Sequence, residues 1–105
     1  MDKVFKALGD KTRLEILLLI NLHPSICLCH LDCCFELSNS NLSRHLKELE
    51  QVNLITYKKT TKWKHYQLSS LGINIVDLIT KNTDTSLLEL IKVKSKQITE
   101  GLAQC

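Results

Sequence analysis

Apolar residues fall along this chain in runs whose spacing changes from one segment to the next. Val4, Phe5 and Leu8 suggest a short amphipathic helix at the start. Gly9-Asp10 interrupts it, and Asp10 is a good N-cap for a second helix. From Lys11 to Leu22, the residues Leu14, Ile16, Leu17, Leu18, Ile20 and Leu22 cover most of a helical surface, the signature of a central, buried helix. His23-Pro24-Ser25 ends it.

A short helix is expected over roughly Leu28 to Phe35, with Leu28, Leu31 and Phe35 facing inward. After Glu36-Leu37-Ser38, Leu42, Leu46, Leu49 and Val52 recur at +4, +3 and +3, which predicts a helix from about Asn39 to Val52 capped by Ser38. Two helices joined by a few residues, the second polar and basic outside, match a helix-turn-helix over about 28–52. Ile55–Lys59 and Trp63–Leu68 read as strands of a hairpin over 55–68. Its turn, Thr60-Thr61-Lys62, has no glycine, so a longer loop is expected than a two-residue turn. At alternating strand positions, Trp63 and Tyr66 are expected to anchor the hairpin to the core. A helical region over about 70–103 comes last, broken near Asn82-Thr83-Asp84. Its stripe of Leu87, Leu88, Ile91, Ile98 and Leu102 lies beyond what the domain needs for its own core, so it is assigned to a dimer contact. The expected fold class is mainly α with a β-hairpin wing.

At 105 residues the chain has room for one compact domain, 1–105, and none for a TIM barrel, a two-domain dehydrogenase or a kinase. With 44% hydrophobic and 24% charged residues it is not a disordered segment. The net charge of +3 becomes informative through its distribution. Between Asn39 and His65, six cations face two acids, whereas the rest of the chain has eight cations and nine acids. Ser40, Asn41, Ser43, Arg44, His45 and Lys47 share the polar side of the second helix, where short polar side chains and Arg can reach base edges or phosphates. Lys58, Lys59, Lys62 and Lys64 crowd the hairpin, where a wing would set them against flanking phosphates.

Four of the five cysteines fall between Cys27 and Cys34. A cluster that tight cannot staple distant segments, so it reads as metal-binding or redox-active in a reducing compartment. Met1–Leu8 holds Asp2 and no apolar core, and Leu14–Leu22 is too short to span a bilayer, so the cytoplasm is the expected location, with no membrane partner. On a regular helix Cys29 and Cys33 share one face, and Cys27 and Cys34 another. An irregular first turn would let the Cys27-Leu28-Cys29 pair converge, and three thiolates would then suit a soft ion. Cys34 is the natural core filler of the four. His30 is expected to face solvent or make hydrogen bonds rather than bind metal, and Cys105 to be incidental unless it reaches across a dimer. No C-x-x-C opens a βαβ unit, so a thiol enzyme is not indicated. A metal buffer or chaperone is the non-regulatory alternative.

Ala7-Leu8-Gly9-Asp10-Lys11-Thr12-Arg13-Leu14 with the Ile/Leu run after it resembles the start of ArsR/SmtB-type winged-helix repressors. Cys27-Leu28-Cys29-His30-Leu31 resembles the metal motif of their arsenic- and cadmium/lead-responsive branches. Leu37-Ser38 through Ser43-Arg44-His45-Leu46-Lys47 resembles the recognition helix, and Lys62-Trp63 through His65-Tyr66, Leu68 and Ser69 the second wing strand. The resemblance runs from Val4 to Ser70. It implies a transcriptional repressor, not an enzyme. Such a repressor is a homodimer paired through its terminal helices, binds double-stranded operator DNA, and is released when arsenite or antimonite, As(III) or Sb(III), binds cysteine thiolates. It carries the DNA contacts onto Ser38, Asn39, Ser40, Asn41, Ser43, Arg44, His45 and Lys47, with Lys58, Lys59, Lys62 and Lys64. The dimer contacts fall on Val4 and Phe5 with the C-terminal stripe. Cys27 and Cys29 match two ligand positions. The third holds Asp32 here, which makes Cys33 the expected replacement and Cys34 the alternative. No cysteine precedes Cys27 and no histidine comes after His65, which points away from the family's cadmium/lead and zinc sites. A repressor of the same fold that senses oxidants or reactive sulfur through these thiols, or one that answers cadmium or lead, is the alternative.

Overall fold

The computed structural model describes residues 2–101. Six helices and one hairpin are arranged in the order α1 (Asp2–Leu8), α2 (Lys11–Leu22), α3 (Leu28–Asp32), α4 (Asn39–Gln51), β1 (Ile55–Lys59), β2 (Lys64–Leu68), α5 (Ser70–Asn82) and α6 (Thr85–Gly101). This is the winged helix-turn-helix order, with α3 and α4 as the helix pair and β1–β2 as the wing.

Helix α2 is the centre. Residues 15–20 are all buried, and α2 touches α1, α4, α5, α6 and β2. Asp10 caps it as the sequence suggests, its carboxylate accepting the Arg13 backbone N–H at 3.1 Å. Partial burial acts to raise the Asp10 pKa. The Arg13 amide, the nearby His45 and the Arg13 guanidinium outweigh it and hold the carboxyl below its usual value. One acid sits among the buried residues of α2. Glu15 meets Lys94 of α6 at 2.8 Å, and the same ammonium lies 4.0 Å from the centre of the Phe35 ring.

The C-terminal stripe departs from expectation. Ile91 and Ile98 are 3% and 0% exposed, Val4 of α1 is 6% exposed, and all three belong to the protomer's own core. A helix apolar on every side must be covered on every side, and α1 and α6 supply that cover for α2. Leu87 and Leu88 are half-buried, and of the named contacts only Phe5 stands clear in solvent. Leu102 lies outside the described residues.

The wing is antiparallel, with Tyr57 opposite Tyr66 and Lys59 opposite Lys64. Its loop spans 60–63 and is closed by the Thr60 N–H on the Trp63 carbonyl at 2.9 Å. Among the described residues only Ser25 and Asn53 have positive φ, so this four-residue loop closes without a glycine. Trp63 therefore sits in the loop rather than in β2. It is 46% exposed and does not anchor the hairpin, whereas Tyr66 is buried as expected. Helix α3 also ends earlier than expected, at Asp32. The Cys34 N–H turns back onto the Leu31 carbonyl at 3.2 Å, tightening the last turn and leaving Phe35 in the connection.

Helix α5 begins against the backbone that leaves α4. Ser69 accepts the Gly72 N–H at 3.0 Å and donates to the Asn53 carbonyl, while its own N–H reaches the Leu54 carbonyl. A Cβ on Gly72 would run into that same Leu54 carbonyl oxygen. Gly72→Ala is therefore expected to destabilise the fold by about 1–3 kcal/mol in urea denaturation, despite alanine's better helix propensity. Asp10→Ala is expected to cost about 1 kcal/mol at neutral pH. Because the folded carboxyl is depressed, its contribution is complete above the unfolded value of 3.8 and is lost as pH falls through the folded one, so wild type and variant should converge in acid.

Candidate functional site

Two surfaces with different chemistry adjoin each other: the outer face of α4 with the wing, and the cysteines of α3. Leu42, Leu46 and Leu49 pin α4 into the core, so its remaining positions must face outward. Ser38, whose hydroxyl accepts the Asn41 N–H at 3.2 Å, starts the helix. Ser38, Asn39, Ser40, Asn41, Ser43, Arg44 and Lys47 are exposed and His45 is half-buried. Lys58, Lys59, Lys62 and Lys64 are exposed on the wing. None of Arg44, Lys47 and these four lysines is in an ion pair among the described residues. Lys64 instead lies over the Tyr57 ring, 4.4 Å from its centre. A face of uncompensated cations and short hydrogen-bonding side chains suits a polyanion.

The four described cysteines are free thiols, and they separate into two pairs at the two ends of α3. Cys27 precedes the helix and neighbours Cys29. Burial, and after it the Cys29 thiol, push the Cys27 pKa up. At the other end Cys33 and Cys34 are neighbours. Cys33 is exposed, donates to the His30 carbonyl at 2.9 Å and lies 3.7 Å from the Gln97 carbonyl of α6. Cys34 is half-buried beside the core, and burial pushes its thiol to about 12. It is the core filler that its sequence position suggests. His30 is a hydrogen-bonding residue, its Nδ1 accepting the Cys27 N–H at 3.2 Å, and burial holds its pKa down in keeping with a neutral ring.

As soft sulfur donors, these thiols fit a thiophilic ion in kind. In position they offer two neighbours, Cys27 and Cys29, with Cys33 at the opposite end of a one-turn helix. Among the described residues no three His, Cys, Asp or Glu side chains converge to ligating distance. Cys105 lies outside the described residues.

Sequence patterning gave no warning of how Cys27 is tied to the wing. Ile26 forms an isolated antiparallel bridge with Tyr66 of β2. The Ser25 N–H donates to the Tyr66 carbonyl at 2.9 Å, and the Tyr66 N–H returns to the Ile26 carbonyl at 2.8 Å. Ser25 reaches this register at φ 70°, just after Pro24. His65, next to Tyr66, has its Nδ1 3.2 Å from the Ser25 carbonyl oxygen and 3.3 Å from the Cys27 sulfur. A carbonyl only accepts, so Nδ1 carries the proton in the tautomer that satisfies it. Nε2 then faces the Thr60 hydroxyl of the wing loop at 3.3 Å. The only sequence signals were a lone β-branched residue after Pro24 and a histidine in a lysine-rich strand.

A cleft of about 560 Å³ joins the two surfaces. Leu28, Cys29 and Asp32 of α3, Asn39 and Ser43 of α4, and Lys59, Lys62, Trp63, Lys64 and Tyr66 of the wing line it.

Residues 10–57 match the model of the bacterial regulatory protein, arsR family. The arsenical resistance operon repressor of Bacillus subtilis is 40% identical over 73 residues, covering 70% of each chain. The Escherichia coli protein of the same name is 40% identical over 67 residues, 64% of this chain and 57% of that one. The structure of reduced HlyU from Vibrio cholerae superposes with a TM-score of 0.66 at 29% identity, over 75% of this chain and 83% of that one. On these matches, and with a helix pair followed by a wing, the chain belongs to the arsR family of bacterial regulatory proteins, winged helix-turn-helix regulators of transcription.

Proposed function

We propose that the protein is a transcriptional repressor. It binds operator DNA as a homodimer in the cytoplasm and is released when arsenite or antimonite is captured by the thiolates of Cys27, Cys29 and Cys33. The observation that carries this reading is the adjacency of a cationic face on α4 and the wing, without ion pairs among the described residues, to four free thiols at the two ends of α3. The names of the Bacillus and Escherichia relatives point to an arsenical as the inducer. Cys33 is preferred to Cys34 as third ligand because it is exposed, whereas Cys34 fills a gap beside the core and holds its proton to about 12.

In this reading Ser40, Asn41, Ser43, Arg44 and His45 face the major groove, and the lysines of the wing take backbone phosphates. Two recognition helices in a dimer would stand about 34 Å apart, one turn of B-DNA. The apolar residues left on the surface near the terminal helices, Phe5, Leu22, Leu88 and Val93, are the candidates for the dimer contact now that Val4, Ile91 and Ile98 are accounted for by the core. Bringing Cys27, Cys29 and Cys33 together requires α3 to open and Cys27 to leave His65. The first change disturbs the packing of Leu31 beneath α4, and the second loosens the strand that holds the wing. The ligand must therefore favour the form that binds DNA poorly, and by linkage DNA must weaken the ligand equally. A coupling of about 1–3 kcal/mol corresponds to a 5- to 150-fold loss of operator affinity.

The separation of the thiols into two neighbouring pairs favours one second reading, release when peroxide oxidises a pair to a disulfide and is itself reduced to water, or when a sulfane-sulfur donor oxidises the pair to a polysulfide bridge and sulfide leaves. Titrating the operator complex side by side with arsenite, antimonite, cadmium, lead, zinc and peroxide, the metals and metalloids under reducing conditions, separates it from the first.

Arsenite should lower wild-type operator affinity within that range in a fluorescence anisotropy titration, and change it less than about twofold in Cys27→Ser or Cys29→Ser. Full release of either variant would refute the sensor assignment. In a dimer each wing lysine counts twice, so Lys62→Ala should reduce the slope of log affinity against log salt by about two units. An unchanged slope would remove Lys62 from the phosphate contacts.

A further inference from the structure

We propose that the cleft between α3 and the wing is the seat of a DNA backbone phosphate, and that Cys29 in its wall lets one thiol adduct close that seat. This inference rests on the DNA-binding reading above and goes beyond it, because no element has to move. The lining gives the occupant its chemistry. Lys59, Lys62 and Lys64 line the cleft with Asn39 and Ser43, against a single acidic residue, Asp32; the Lys64 ammonium rests over the neighbouring Tyr57 ring and would swing in to meet an anion. The cations of this set are not in ion pairs among the described residues. Asn39 and Ser43 lie on the exposed side of α4, so a phosphate here would be continuous with a duplex read by that helix.

Cys29 differs from the other thiols in sharing this space. Cys27 is buried at 5% exposure, Cys34 is turned toward the core, and Cys33 points to α6. A group on the Cys29 sulfur therefore occupies volume that the phosphate needs, and its charge acts on the same three lysines. Chelation requires several thiolates to gather. Exclusion from the seat requires one sulfur, and it depends on the size and sign of what is attached.

The test uses the full-length protein and two methanethiosulfonate reagents of similar length, one ending in a sulfonate and one in an ammonium. With each, the Cys29 thiolate forms a disulfide bond to the reagent's sulfenyl sulfur and methanesulfinate leaves. Mass spectrometry fixes the extent of modification at each cysteine. At equal occupancy of Cys29, the sulfonate adduct is expected to weaken operator binding about tenfold more than the ammonium adduct, with the gap closing as salt is raised. Cys29→Ser protein treated in the same way should lose this dependence on charge. The reagent-free pair Cys29→Asp and Cys29→Asn gives an independent reading, with the aspartate variant about tenfold the weaker binder at low salt.

Equal losses from the two adducts, or equal affinity of the Asp and Asn variants, would overturn the phosphate seat and leave only a conformational route. A charge effect that survives in Cys29→Ser would move the seat to another thiol and overturn it as well. Failure of the unmodified protein to bind the DNA upstream of its own gene would instead sink the repressor reading on which the seat rests.

Discussion

The two hydrogen bonds that join Ser25 and Ile26 to Tyr66 fix more of this molecule than their number suggests. They turn the connection between α2 and α3 into a third, one-bridge strand on the wing. A two-stranded hairpin alone is marginal in water. Here it gains a partner strand, a buried tyrosine and a histidine that ties its loop to the chain before α3. Cys27 is the residue after Ile26, so the position of one thiol and the position of the wing are set by the same backbone contact. A perturbation of either must reach the other within two residues, with no extended path through the core.

The opposite end of α3 is held by different physics. Cys33 points to a carbonyl of α6, and Lys94 of that helix joins Phe35 by its charge and Glu15 of α2 by an ion pair. His23, at the C-cap of α2, adds a 2.8 Å contact to Ser95. α3 is thus strung between the wing and α6 with one helical turn of its own. So short a helix has almost no cooperative stability, so its shape is dictated by what holds its ends. That is a favourable place for a ligand to act. Opening one turn sacrifices few backbone bonds, yet it displaces α3 from α4 and the wing on one side and from α6 on the other.

Much of this was legible in the residues. The spacing of Leu42, Leu46 and Leu49 gave α4 to within a residue, and Asp10 and Ser38 announced the caps that the structure contains. The concentration of cations on α4 and the wing could be anticipated from counting charges. What failed were inferences that needed three dimensions. Ile91 and Ile98 looked surplus because periodicity shows that a face is apolar without showing what it covers. In fact α2, apolar all round, claims them. Trp63 was misplaced because a four-residue loop shifted it out of the strand's alternation. The link between Cys27 and His65 spans 38 positions and depends on a bridge of one residue pair, too little pattern for any window to detect.

Cys33 and Cys34 show how far position can divide two identical side chains. Cys34 turns toward the core, where desolvation stabilises the neutral thiol and pushes it to about 12. Recruiting it would mean both deprotonating it against that bias and opening a gap beside Leu31. Cys33 is exposed, and its hydrogen bonds go to carbonyls that water can satisfy equally well. Moving Cys33 toward Cys27 and Cys29 therefore costs mainly the single turn of α3 between them, and moving Cys34 costs part of the core. If a third thiolate is drawn from this helix, the packing of the resting protein has already ranked the two.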